Sequence, residues 1–162
     1  MAMYSILFVC TGNICRSPTA EAVFKHYVRE RDLSGHFYVD SAGTQGYHIG
    51  CGPDYRSVKA ARVGGVMMEG QQARKVKKDD FDKFDLILAL DRGHYMELRD
   101  IAPAGGKGAE LSLLLDYHDD YKGQDVPDPY YGEEEDFEQT YNMIAAGVDG
   151  LLDYLVKDLD LE

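Results

Sequence analysis

The chain has 162 residues, 44% of them hydrophobic and 28% charged, proportions that fit a globular domain and exclude a disordered or collagen-like segment. Seventeen Lys and Arg against 29 Asp and Glu leave a formal net charge of −12. That balance argues against a general nucleic-acid or anionic-membrane surface, yet it leaves room for a small, locally positive anion pocket. At this length a core needs no disulfide or metal staple.

The opening Met1–Cys10 segment has no basic start and its apolar run is short, so neither a signal peptide nor a spanning helix is expected. Three cysteines, an odd number, in a chain without an export signal point to a reducing compartment. A cytoplasmic location is the expectation.

Tyr4 to Cys10 is almost wholly apolar, as suits a strand buried on both faces. A Gly-Asn turn follows, then Ser17-Pro18, which reads as a cap followed by the first helical residue. Ala20, Val23, Phe24, Tyr27 and Val28 then fall at helical spacing, with Glu21, Lys25, His26 and Arg29 on the other face. Phe37–Ala42 reads as a second strand ending at Gly43, and Asp54 to Val66 as helix-like until Gly64-Gly65. Asp85–Leu90 is another buried-strand run, followed by a helix from Arg92 to Ile101 that stops before Pro103. Leu111–Leu115 fits either a fourth strand or a helical turn. Phe137, Tyr141, Ile144, Val148, Leu151, Leu152 and Leu155 trace one face of a last helix, with Glu133–Asp136 at its positive end. Alternating strands and helices predict an α/β fold: a parallel sheet about four strands wide with helices on both faces. Ligands collect at the carboxyl ends of such strands.

Cys10-Thr11-Gly12-Asn13-Ile14-Cys15-Arg16-Ser17 lies at that place. Gly12 and Asn13 tolerate left-handed backbone, so the loop can curl its N–H groups inward. A nest of this kind before a helix N-terminus binds a phosphate-sized anion. Arg16 can close the cup with a planar fork for two phosphate oxygens. Cys10 would sit at the bottom, where the N–H groups and the helix end favour the thiolate and Ser17 can donate a hydrogen bond to it. That is a nucleophile aimed at phosphorus. A Cys and an Arg six residues apart mean little alone; the strand before, the Gly-Asn turn and the helix after carry the reading.

Residues 10–21, C-T-G-N-I-C-R-S-P-T-A-E, resemble the opening signature of the low-molecular-weight protein tyrosine phosphatases. Ser41-Ala42-Gly43-Thr44 and Val126-Pro127-Asp128-Pro129-Tyr130 match two further segments of that family, and order, spacing and length fit throughout. The resemblance implies one phosphatase domain over residues 1–162, a three-layer, Rossmann-like sandwich of the phosphotyrosine phosphatase I type. It also implies hydrolysis of protein phosphotyrosine without metal or other cofactor. It assigns Cys10 as nucleophile, Arg16 as phosphate clamp, Asn13 and Ser41 as supports of the loop, Ser17 as the hydroxyl steadying the thiolate, and Asp128 as general acid and base. Thr11, Gly12, Ile14 and Cys15 complete the phosphate-binding loop. Read from the residues alone, Asp128 is a rigidly presented carboxyl between two prolines, but Asp116, Asp119, Asp120 and Asp125 lie close by and compete for the role.

The match departs in places. Tyr47 stands where the family usually has a rim Trp, and with Tyr130 and Tyr131 it would form an apolar slot deep enough for phosphotyrosine. His94 stands where many members carry Asn, and Gln72 where many carry His. Ile14 resembles the tyrosine-specific members, whereas relatives acting on phosphoarginine have Thr there. Cys15 shares the loop with Cys10, and a reversible disulfide between them would protect the nucleophile from further oxidation. Cys51 reads as an exposed bystander, and the five histidines show no metal-ligand spacing.

Two other chemistries can use such a scaffold. An arsenate reductase needs a further cysteine pair downstream, and no cysteine follows Cys51. A phosphocarrier generally lacks an arginine like Arg16 and an acid like Asp128. The expected partner is a tyrosine-phosphorylated protein, with inorganic phosphate as product and inhibitor and no nucleic acid or membrane. Nothing in the sequence demands more than a monomer.

Overall fold

The computed structural model describes residues 3–104 and 108–161. Strand β1 (Tyr4–Cys10) leads through the Cys10–Ser17 loop into α1 (Arg16–Glu30). A 3-10 turn (Ser34–His36) precedes β2 (Phe37–Gly43), and α2 (Tyr55–Val63) and the short α3 (Asp80–Lys83) precede β3 (Leu86–Ala89). Then come α4 (Arg92–Ile101), β4 (Glu110–Leu113), a second 3-10 turn (Leu114–Tyr117) and α5 (Glu134–Asp158).

The four strands form one parallel sheet, as the sequence predicts, and their order is β2-β1-β3-β4. Strand alternation divides the apolar run of β1 between two cores. Ile6, Phe8 and Cys10 pack with α1, α2 and α5 on one face, while Leu7 and Val9 pack with Phe81 of α3 and Leu98 of α4 on the other. The strand order reverses direction around β1, so a crevice opens at its carboxyl end, where the loop lies. Gly43 lets that junction close. Thr44 N donates to Cys10 O (2.8 Å) and Gln45 N to Thr11 O (3.0 Å), and a Cβ on Gly43 would lie 2.5 Å from Thr11 O.

Several boundaries differ from expectation for identifiable reasons. Ser17 is not the cap of α1; Cys15 holds that position without a side-chain bond, and Ser17 lies inside the first turn with its hydroxyl beside Cys10. Pro18 is still tolerated there because the first turn needs no N–H from it. Both readings of Leu111–Leu115 hold in succession, strand to Leu113 and 3-10 turn from Leu114. The last helix, by contrast, starts where expected: the predicted face of α5 is buried from Phe137 to Leu155, and Glu133 and Asp136 form a reciprocal capping box at its start. The Ser34–His36 turn and α3 are too short to carry a periodic signal. Among the described residues no helix is long and apolar enough to cross a membrane.

Candidate active site

The left-handed turn expected at Gly12 and Asn13 falls on Asn13 alone, at φ 58°. At Gly12 a Cβ would come within 3.0 Å of His48 Cδ2, a tight contact with a side chain of the cavity wall. Asn13 is buried and holds its turn through every polar atom of its side chain. Nδ2 donates to Ser17 Oγ (2.8 Å) and Ser41 Oγ (3.0 Å), and Oδ1 accepts from the Arg74 amide (3.0 Å). Ser41 in turn donates to Glu21 Oε1 (2.7 Å), a buried carboxylate also paired with Lys25. Because Ser17 Oγ accepts from Asn13, its own proton can turn to Cys10 Sγ at 3.0 Å; Ala42 O, at 3.3 Å, is the competing acceptor. Charge-assisted bonding favours a thiolate over a carbonyl as that acceptor.

The amide N–H groups of Thr11 through Ser17 donate to no described residue. A run of unclaimed backbone donors at a helix N-terminus is the arrangement that binds a phosphate or similar anion. Arg16 closes the cup. Its guanidinium is buried, with Nη1 donating to Asp91 Oδ2 (2.7 Å) and Val126 O (3.0 Å). Asp91 also caps α4 by accepting from the His94 amide (2.9 Å), so the arginine is tied to a helix start. Burial works to raise the Asp91 pKa, but the His94 amide and Arg16 outweigh it, and the carboxyl lies below the ordinary aspartate value. Burial and the nearby Arg16 charge push the His94 imidazole down to about 4.

The loop floors a cavity of about 200 Å³, walled by Ile14, Cys15, Tyr47, His48, Asp128, Tyr130 and Tyr131. Tyr47, Tyr130 and Tyr131, the three aromatics singled out in the sequence, all line this cavity. Tyr130 and Tyr131 meet edge to face at 4.9 Å, and the Arg56 guanidinium lies over the Tyr130 and Phe137 rings at 5.4 and 4.4 Å. Asp128 Oδ2 is 3.7 Å from Arg16 Nη2 on the rim, half exposed. Its acidic competitors are elsewhere: Asp116 binds the Gly123 amide, Asp125 pairs with Arg92, Asp119 and Asp120 face solvent, and none lines the cavity. Cys15 is a buried thiol, pushed up to about 12 by burial against the opposing Ser57 bond. Cys51 is exposed. Gln72 is exposed too, and its neighbour Gln71 is the side chain that reaches α1, donating to Pro18 O (2.8 Å). Among the described residues no group of three or more His, Cys, Asp or Glu is arranged to hold a metal ion.

The family model for low molecular weight phosphotyrosine protein phosphatase matches residues 5–161. The chain belongs to that family. The low molecular weight protein-tyrosine-phosphatase YfkJ of Bacillus subtilis is 41% identical over 160 residues, covering 98% of this chain and all of that one. The human low molecular weight phosphotyrosine protein phosphatase is 44% identical, covering 86% and 88% of the two chains. The crystal structure of YfkJ superposes with a TM-score of 0.90 over 98% of each chain. A protein tyrosine phosphatase from Entamoeba histolytica, crystallised with Hepes in its active site, also gives 0.90 at 37% identity, over 96% of this chain and 98% of that one. This low molecular weight phosphatase is thus a protein-tyrosine phosphatase acting on phosphoproteins, with Cys10 and Arg16 in the phosphate-binding loop. The residues that sequence reading passed over are His48, Asp91, Glu21 and Arg74. Asp91 alone carried a usable signal, an Asp directly before a predicted helix; the others act through contacts that only the fold creates.

Proposed function

We propose that hydrolysis proceeds by double displacement at phosphorus. The Cys10 thiolate attacks, the bond from phosphorus to the tyrosyl oxygen breaks, and the protonated Asp128 carboxyl gives its proton to the departing phenolate. Water then attacks the cysteinyl phosphate, Asp128 takes a proton from it, and the sulfur–phosphorus bond breaks to release inorganic phosphate and the thiolate. The loop amides and the Arg16 fork stabilise the charge that builds on the equatorial oxygens, the largest contribution in reactions of this type. Tyr47, Tyr130, Ile14 and Cys15 wall the slot for the phosphotyrosine ring, and Asn13, Ser17 and Ser41 hold the loop. The observation that carries this reading is the Cys10 sulfur, 3.0 Å from the Ser17 hydroxyl, at the start of a loop whose backbone donors no described residue uses.

The working unit in this reading is one domain, residues 1–162, acting as a cytoplasmic monomer. Inorganic phosphate is product and competitive inhibitor, and neither nucleic acid nor membrane is a partner, in keeping with a net charge of −12. Cys15 serves as the resolving thiol that traps an oxidised Cys10. The test is hydrolysis of para-nitrophenyl phosphate at mildly acidic pH with EDTA present, wild type beside Cys10→Ser. Turnover that survives EDTA and disappears in the variant supports the mechanism, and full activity in Cys10→Ser removes it.

A further inference from the structure

Arg16 divides its donors unequally. Nη1 is committed to Asp91 and Val126 O, and Nε donates to no described residue. Nη2 lies 3.4 Å from Thr11 Oγ1, 3.4 Å from His94 Nε2 and 3.7 Å from Asp128 Oδ2. The edge left to grip an anion is therefore Nε with Nη2, and only long contacts on the protein side hold Nη2 in line.

His94 sits behind that edge, buried on the first turn of α4. Its Nε2 is 2.8 Å from Thr11 Oγ1 as well as facing Arg16 Nη2. A guanidinium can only donate, so Nε2 must accept and the ring proton belongs on Nδ1. Thr11 then donates its hydroxyl proton to His94 Nε2 and turns its oxygen lone pairs to Arg16 Nη2. The ring is aimed by its Nε2 side at the expense of the other nitrogen. Nδ1 is 3.1 Å from Asp91 Oδ1 but not aligned with it, and is buried without a hydrogen bond. The charged groups around the ring are Arg16 on α1, Asp91 at the start of α4, and Asp125 and Asp128 in the segment before α5.

We infer that His94, as the neutral Nδ1–H tautomer, is a positioning residue that fixes Nη2 of the Arg16 fork through the Thr11 hydroxyl. The inference rests on the reading of Arg16 as the phosphate clamp. Burial, which keeps the imidazole neutral, supports it.

The test uses the full chain at pH 6, with inorganic phosphate binding measured by calorimetry and para-nitrophenyl phosphate kinetics alongside. His94→Leu removes the acceptor while keeping side-chain bulk, and it raises the phosphate Kd and KM about tenfold, the scale of one lost bond in a charge-assisted chain, with kcat changed far less. His94→Gln, whose Oε1 lies near the place of Nε2, restores both constants. Nitrogen-detected imidazole correlations on the wild type show the proton on Nδ1. An Nε2–H tautomer or an imidazolium at pH 6 overturns the inference. So does unchanged phosphate binding in a folded His94→Leu when Arg16→Ala abolishes it. If Arg16→Ala itself binds phosphate normally, the reading of the clamp and this inference fall together.

Discussion

Replacing Asn13 by Ala removes the pivot of the loop. Three hydrogen bonds go at once, to Ser17 Oγ, to Ser41 Oγ and from the Arg74 amide. At about 1 kcal/mol each they contribute about 3 kcal/mol, and an alanine held at a left-handed φ adds about 1–2 kcal/mol. The total, about 4–5 kcal/mol, lowers the melting temperature of a chain this size by roughly 8–20 °C. Asn13→Gly loses the same bonds but relieves the backbone at φ 58°. Set against glycine's extra freedom in the unfolded chain, that relief leaves Gly about 0.5–1 kcal/mol more stable than Ala. Urea denaturation of the three proteins at pH 7 measures both differences, and each variant should also lose turnover, because Ser17 is no longer oriented toward Cys10. An alanine variant destabilised by less than about 1 kcal/mol, or a glycine variant less stable than the alanine one, would refute the reasoning.

His94 gives a pH-dependent contribution with a definite sign. Its pKa falls from 6.5 in the unfolded chain to about 4 in the fold, so between those values the unfolded state binds more protons. Stability is lost as pH falls from about 6.5 to 4 and then levels off, by about 3 kcal/mol from this group. The stability difference between wild type and His94→Gln, followed by denaturation from pH 7 to 4, should shift by that amount; a level difference contradicts it. Mild peroxide should produce a Cys10–Cys15 disulfide detectable by peptide mass mapping. Cys10 is first oxidised to the sulfenic acid, and the Cys15 sulfur then displaces water. Because burial holds the Cys15 thiol protonated, that second step should accelerate as pH rises; absence of the crosslink removes the redox role. Asp128→Asn should slow phenyl phosphate far more than para-nitrophenyl phosphate, whose leaving group needs little help, and equal losses for the two esters would move the acid elsewhere.

The first third of the site is local in sequence, which is why it could be read there. A buried strand, a turn with Asn at its strained position and an amphipathic helix lie within 30 residues, and short-range rules govern each. The Ser17 hydroxyl marks the limit of those rules. A serine before a helix serves as a cap or serves a nearby sulfur, and only the folded loop puts Cys10 3.0 Å away. Asp128 was indistinguishable from four neighbouring aspartates until the chain after α4 was fixed. Val126 donates to Leu90 O (3.0 Å) and accepts from Arg16, and that anchoring sends Asp128 to the rim and Asp125 to Arg92. Asp91 and His94 lie more than 70 positions from Arg16 in sequence, so their contacts with it arise from the parallel pairing of β1 with β3.

The most direct measurement is an acid quench of the enzyme during turnover of a phosphotyrosyl peptide carrying labelled phosphate, followed by peptide mapping. The label should appear on Cys10, accumulate when Asp128→Asn slows its hydrolysis, and be absent from Cys10→Ser. Label on a histidine, or turnover with no labelled enzyme in either protein, would contradict the cysteinyl-phosphate mechanism.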